Sequence, residues 1–527
     1  MQQRRDFLKF MGQTAITLPW LTSMDFAFAE STLPFTPLGP NTRDELSLVK
    51  GLNYNVLIKW QDALNGREHF GTHNDFLAFE PLAGKPGEAI LFVNHEYLDM
   101  VLFHGRPLGS PRSESEMRQE MAAVGNSLVH IKQTKGSWSV VKDSPYNRRI
   151  SAETMIPFQK GYTILGKDKA MGTLANCAGG QTPWHTFLSC EENYDEFYGD
   201  VTYIDRKREF LPSTHVDKFY WYTKFPNPPE HYGWVTETNP LTGDIVKRCA
   251  LGRFEHESAT VVTGRSGRAV VYMGQDRKFG FLFKFVADKK DSLETGTLYA
   301  ADTVKGRWIP IDIEKSPVLK KHFNNQHDVL TYAYRAGQVV GATPQDRPED
   351  IEVDPLGGSI FISLTNNYDR GNRYGSIFKI TEKNGDHEGL EFTSETFMAG
   401  SDEIGFACPD NLVFDKKGNL WMTNDVAVHD LHDGKYDKIG NNGLYFIPLH
   451  GPYAGKAYRV ATAPEGAEFT GPMFSPDNKT LFLSIQHPGE GTTDPKKPTS
   501  HWPDGAGHAP KSAVVTIQGP LLDHLTS

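Results

Sequence analysis

The chain has 527 residues, 38% hydrophobic and 23% charged, with 49 Gly and 33 Pro. That composition is globular and excludes disordered, collagen-like and coiled-coil chains. Its 65 acidic and 55 basic residues leave a formal charge of -10, which argues against a cationic nucleic-acid or membrane-surface footprint and readily accommodates bound cations.

At the N-terminus, Arg4-Arg5-Asp6-Phe7-Leu8-Lys9 leads into an apolar stretch from Phe10 to Leu21 and then Ala27-Phe28-Ala29 before Glu30. Basic, apolar and small-residue segments in that order predict a twin-arginine signal peptide over residues 1–29, cut at an A-x-A site. The remaining residues 30–527 are expected to form a single catalytic domain, exported by the twin-arginine machinery to the periplasm or beyond it. No later segment offers the roughly 18 continuous apolar residues of a membrane span. Four cysteines, Cys177, Cys190, Cys249 and Cys408, are too few for a disulfide scaffold.

From about residue 50 onward, short apolar runs alternate with Gly, Pro, Asn and Asp, an all-β pattern. Early hairpins are expected at Ala89 to Asn94, Thr186 to Cys190 and Ala259 to Met273. The charged stretch Arg106 to Val124 reads as an insertion with a short helix through Glu114 to Glu120. Three later hairpins share one design, with turn aspartates Asp354, Asp415 and Asp477 spaced 61 and 62 residues apart. The tail after Pro488, rich in Gly, Pro, Thr and His, is expected to be an irregular loop. About six such units point to a β-propeller, whose radial repetition leaves few sheet edges exposed. A two-sheet sandwich or two separate β domains would also fit the hairpins.

The chemistry gathers at strand ends. Apolar strands run into Asn94-His95-Glu96, Cys190-Glu191-Glu192-Asn193 and Gly274-Gln275-Asp276. Other strands are preceded by Phe254-Glu255-His256-Glu257, Arg347-Pro348-Glu349 and Cys408-Pro409-Asp410-Asn411. In a propeller, such ends converge on one channel mouth although they are distant in sequence. Hard cations such as calcium take many anionic oxygens, while a thiolate among carboxylates suits a transition metal. Glu96, Glu191, Glu257, Asp276, Glu349 and Asp410 with Cys190 therefore read as a composite metal site. A turn cap or solvated edge charge is the plainer reading of any one of these carboxylates, as a buried apolar thiol is of Cys190.

In order, the twin-arginine leader, Asn94-His95-Glu96-Tyr97, Thr182-Pro183-Trp184 with Cys190-Glu191-Glu192-Asn193, Gly252-Arg253-Phe254-Glu255-His256-Glu257, Asp276, Arg347-Pro348-Glu349, Pro409-Asp410, Thr470-Gly471-Pro472 and Gln486-His487-Pro488-Gly489-Glu490 resemble the PhoX family of bacterial alkaline phosphatases. The likeness spans nearly the whole mature chain. It implies a six-bladed β-propeller with irregular insertions, holding two ferric ions, three calcium ions and a bridging oxo group, and acting on phosphomonoesters. By motif, Cys190 is the iron thiolate, Glu96, Glu191, Glu257, Asp276, Glu349 and Asp410 are the metal carboxylates, and Arg347 is the phosphate clamp. Glu192 stands beside Glu191 as the competing choice. Two departures stand out. The segment Phe397 to Ala407 lacks the lysine that the family places near phosphate, and Asn411 replaces a glycine.

Two other functions use the same acidic residues. One is an iron-free calcium propeller that hydrolyses lactones, phytate or phosphodiesters, and the other a non-catalytic calcium-binding propeller. Gly-x-Ser-x-Gly is absent, so a serine-hydrolase elbow has no support.

Overall fold

Every predicted hairpin unit becomes one antiparallel sheet, and six sheets build a β-propeller. The computed structural model describes residues 33–211, 218–431 and 434–527, so the leader expected over residues 1–29 lies outside the described residues. The first strands of the blades are Asn74–Pro81, Asn176–Gln181, His256–Thr263, Pro348–Val353, Pro409–Phe414 and Glu468–Phe474. Consecutive first strands pack side by side, and Glu468–Phe474 returns to Asn74–Pro81, which closes the ring. Their partners, Glu88–His95, Phe187–Glu191, Ala269–Gln275, Ile360–Leu364, Leu420–Asn424 and Leu481–Gln486, form the second layer outward.

The second strands read as almost uninterrupted apolar runs, such as Ala269-Val270-Val271-Tyr272-Met273, because each blade is covered on both faces by its neighbours. The turn aspartates tie their hairpins in one way: the Oδ1 atoms of Asp354, Asp415 and Asp477 accept the backbone N–H two residues on, at 2.9, 2.9 and 3.1 Å.

The ring is closed by the chain before its first blade. Ser47–Leu48 pairs with Tyr458–Thr462 at the edge of the fifth blade, and Asn53–Lys59 pairs with Ala513–Gln518 at the edge of the sixth. The tail after Pro488 is thus not loop throughout, since Ala513–Gln518 completes a blade and Pro520–Thr526 is helical. The run Ala513-Val514-Val515-Thr516-Ile517 is apolar and mostly β-branched, which suits a buried strand. At the junction of blades six and one, a side chain at Gly471 would meet the Asp75 carbonyl at 2.6 Å, and Gly471 has φ +50°. Only glycine fits that approach without strain.

The insertion in the first blade carries helices Met100–His104 and Glu114–Ala123. Ser113 caps the second: its Oγ accepts from the Glu116 amide, and the Glu116 carboxylate accepts from the Ser113 amide at 2.8 Å. These helices pack on Phe197, Phe219 and Trp221. Among the described residues no helix is long and apolar enough to cross a membrane.

Candidate metal centre

All six first strands carry a bulge against their second strands, at or next to their inner ends: between Asn74 and Leu77, Asn176 and Gly179, Glu257 and Thr260, Pro348 and Ile351, Pro409 and Leu412, and Thr470 and Met473. A bulge turns the local side chains out of the regular pleat. In four blades the residue just before the strand also has positive φ: His73 at 43°, Ala175 at 51°, Arg347 at 54° and Cys408 at 50°. Non-glycine residues rarely adopt that conformation, and it clusters where function over-determines the backbone. The next residue but one is Asp75, Cys177, Glu349 or Asp410, each a metal-ligand type.

Those four side chains line a cavity of about 200 Å³ together with Glu257 and Glu468 from the other two first strands. A second tier comes from residues that immediately follow second strands: Glu96, Glu192, Asp276, Asp425 and His487. Arg347 and Lys218 supply positive charge at the wall. Three groups have ligand atoms within 4.8 Å of one another: Asp75, Glu96 and Cys177; Cys177, Glu192 and Glu257; and Glu192, Asp276 and Glu349.

Polar staples set these groups. Gln486 donates to Asp75 Oδ2 and to Glu96 Oε2, both at 2.9 Å. Asn193 donates to Glu192 Oε2 at 2.7 Å and to Glu96 Oε1 at 3.3 Å. Thr365 donates to Glu349 Oε1 at 2.8 Å. Asn411 donates to Asp410 Oδ1 at 3.0 Å and accepts from the Gly471 amide at 2.7 Å, joining blades five and six.

Burial first, and neighbouring carboxylates second, hold Asp75, Glu192, Glu257, Glu349, Asp410 and Glu468 well above the ordinary carboxylate range. Burial likewise pushes Glu96 up to about 7. Burial opposes the charge on Arg347, but Asp276 and Glu349 outweigh it and drive its pKa well up. Its Nη2 lies 2.6 Å from Asp276 Oδ2 and 2.8 Å from Glu349 Oε1.

So many crowded anionic oxygens require compensation, and one guanidinium does not supply it. Asp75 Oδ1, Asp276 Oδ1 and both carboxylate oxygens of Glu257 are buried without a hydrogen-bond partner among the described residues. Buried acceptors left unpaired beside a thiol are what bound cations would satisfy, so the donor set fits a multi-metal site.

The structure brings Glu96, Glu257, Asp276, Glu349, Asp410 and Arg347 to one cavity, as expected from the sequence. It places two expected ligands elsewhere. Cys190 is fully buried among Leu188, Val235, Ala259 and Met273, inside the blade, and the cavity thiol is Cys177. Glu191 Oε1 meets Lys247 Nζ at 2.5 Å and Glu191 Oε2 accepts from the Trp234 amide, so the cavity carboxylate is Glu192. The reason is depth: Cys190 and Glu191 end the second strand of their blade within the sheet, whereas the groups that second strands contribute to the cavity, Glu192 among them, immediately follow the strand. Asp75, Cys177, Asp425, Glu468, His487 and Lys218 were not anticipated. The pairs Asn74-Asp75 and Asn176-Cys177 repeat the pattern of Pro348-Glu349 and Pro409-Asp410, a signal that could have revealed two of them. All four cysteines are free.

A profile of the family described as alkaline phosphatase PhoX matches residues 33–489. The chain belongs to the PhoX family of alkaline phosphatases. The structure of Pseudomonas fluorescens PhoX in complex with vanadate, a transition state analogue, is 30% identical, with a TM-score of 0.82, covering 93% of this chain and 98% of that one. A protein of unknown function from Dyadobacter fermentans is 9% identical over 89% of this chain and 100% of that one, with a TM-score of 0.40. The periplasmic gluconolactonase PpgL of Pseudomonas aeruginosa is 10% identical over 68% and 71%, with a TM-score of 0.30. No curated protein matches the chain. Membership in the PhoX family makes the chain a metal-dependent phosphatase built on a β-propeller.

Proposed function

We propose that the protein is an exported phosphomonoesterase whose channel holds iron and calcium, with Arg347 as phosphate clamp. The observation that carries this reading is the row of three overlapping ligand groups, two sharing Cys177 and one made only of carboxylates, ending at Arg347. A thiolate among carboxylates suits iron, and the all-oxygen group of Glu192, Asp276 and Glu349 suits calcium. Asp410, Asp425 and Glu468 extend the oxygen donors around the ring. The twin-arginine leader read in residues 1–29 supplies the export route.

Bound cations would neutralise the transferring phosphoryl oxygens, activate an oxygen nucleophile and stabilise the leaving alkoxide. The chain's own part is positioning. The Arg347 guanidinium, held by Asp276 and Glu349, presents a fixed fork to two equatorial phosphate oxygens. Thr365 and Asn411 keep Glu349 and Asp410 in single orientations. Lys218 Nζ, 4.5 Å from the centre of the Tyr97 ring and 3.0 Å from Glu196, adds a second cation at the mouth.

Metal analysis of purified protein beside hydrolysis of p-nitrophenyl phosphate tests the reading. Both iron and calcium are expected, activity should vanish on calcium chelation and return on calcium addition, and vanadate should inhibit. Stoichiometric zinc instead of iron, with activity retained after calcium removal, would overturn it.

A further inference from the structure

A cleft of about 820 Å³ lies beside the carboxylate cavity, and Lys218 lines both. Its chemistry is opposite to that of its neighbour. Among the described residues no carboxylate lines it, although the protein as a whole carries a charge of -10. Two of its basic groups are already engaged below the surface: His104 Nε2 and Arg112 Nη1 meet the buried Glu120 carboxylate at 2.7 and 3.0 Å. Three remain.

Arg106 pairs through Nη1 with Glu116 at 2.8 Å, but its Nε and Nη2 are buried with no partner among the described residues. Lys224 is exposed and makes no ion pair among the described residues. Lys218 stands at the boundary. Between these charges the lining is apolar, through Met100, Leu108, Met117 and Tyr220. Unpaired guanidinium donors in a partly enclosed cleft are costly unless an anion satisfies them.

We propose that this cleft is the leaving-group subsite, and that it selects phosphomonoesters whose alcohol portion is bulky, partly apolar and carries a second anionic group. The inference rests on the phosphatase reading of the adjoining cavity. With the transferring phosphoryl group beside Arg347, the ester oxygen faces the Lys218 boundary and the alcohol extends into the cleft. Its second anion then meets Arg106 and Lys224, while its apolar frame covers Met100 and Tyr220. Charge here acts on substrate capture, so it appears in kcat/KM and weakens with salt.

The test compares adenosine 5′-monophosphate with adenosine 3′,5′-bisphosphate on the metal-loaded enzyme, with p-nitrophenyl phosphate as the small reference. The bisphosphate should be favoured in kcat/KM by about tenfold at low salt, and the preference should shrink as salt rises. Lys224→Ala should cut that preference by about threefold and Lys224→Glu further, with p-nitrophenyl phosphate turnover unchanged. Arg106→Gln should act in the same direction, and the exposed Lys224 variants keep the test open if that variant folds poorly. Equal kcat/KM for the two adenosine esters, or a preference that both Lys224 variants leave intact, would overturn the subsite. Failure of the unmodified, metal-loaded enzyme to hydrolyse p-nitrophenyl phosphate would strike the reading of the adjoining cavity and remove the subsite with it.

Discussion

Cys177 Sγ donates to Asp75 Oδ2 across 3.3 Å, linking the bulged first strands of two adjacent blades at equivalent positions. That contact makes Cys177, and not Cys190, the thiol that shares a cavity with carboxylates. Burial pushes its thiol well above the ordinary range, with Asp75 adding to the shift, so only a cation would hold it as a thiolate. Cys177→Ala should therefore lose iron and activity while the blade remains folded. Cys190→Ala should keep both and lose about 1–2 kcal/mol of stability through the small core cavity it leaves. Metal content and thermal unfolding of the two variants check this, and iron retained by Cys177→Ala would return the thiol assignment to open choice.

The adjacent glutamates Glu191 and Glu192 separate in the same way. Glu191 and Lys247 form a fully buried pair, so Glu191→Gln strands an ammonium in the interior at a cost of about 3–5 kcal/mol. Its metal content per folded molecule should stay normal. Glu192→Gln removes a carboxylate common to two of the ligand groups and should lose metal with little loss of fold. Elemental analysis set against chemical unfolding tells the two apart.

Much of this was legible in the sequence, and the failures have a common cause. Hairpin punctuation at Asp354, Asp415 and Asp477 gave the blade repeat, because a short carboxylate that accepts its own turn's N–H is a local interaction. Pro348-Glu349 and Pro409-Asp410 were readable because proline marks the strand entry. At Cys190-Glu191-Glu192 the strand end itself had to be located, and moving it by a residue or two exchanges an interior position for a cavity position. Asp425, Glu468 and His487 join the site only through ring closure, and Asn53–Lys59 joins its sheet only through Ala513–Gln518, more than four hundred residues later. Lys218 comes from an insertion after the second strand of blade two, whereas the lysine expected by resemblance would precede Pro409. No local pattern carries such relationships.

His231 supplies an acid limb to stability away from the metal centre. It is 5% exposed, and burial first, then the nearby Lys247, lower its pKa to about 4 from an ordinary 6.5. The folded state thus binds fewer protons than the unfolded one between those values, and stability is present in full above pH 6.5 and falls as pH drops towards 4. The expected slope is about 1.4 kcal/mol per pH unit. His231→Phe, which keeps an aromatic ring against Phe158, should flatten that limb. Denaturant midpoints from pH 7 to pH 4 measure it, and an unchanged slope would mean the proton is taken up elsewhere.

Arg347 separates clamp from scaffold. Its guanidinium bridges Asp276 and Glu349, yet it cannot ligate a metal. In the metal-loaded protein, cations would compensate those carboxylates, so Arg347→Ala should keep its metals and nearly all of its thermal stability. Turnover should fall by about 10²–10³, the cost of one positioned donor to a transferring group. In the chelated protein the same substitution removes a compensating charge, and its melting point should fall well below that of chelated wild type. Arg347→Lys should restore the chelated protein's stability far better than turnover, because a point charge balances carboxylates but does not reproduce a two-pronged grip. Glu349→Ala should lose metal and activity together. If metal-loaded Arg347→Ala instead sheds its metals, the guanidinium is part of the scaffold, and the phosphate must be held by the cations and Lys218 alone.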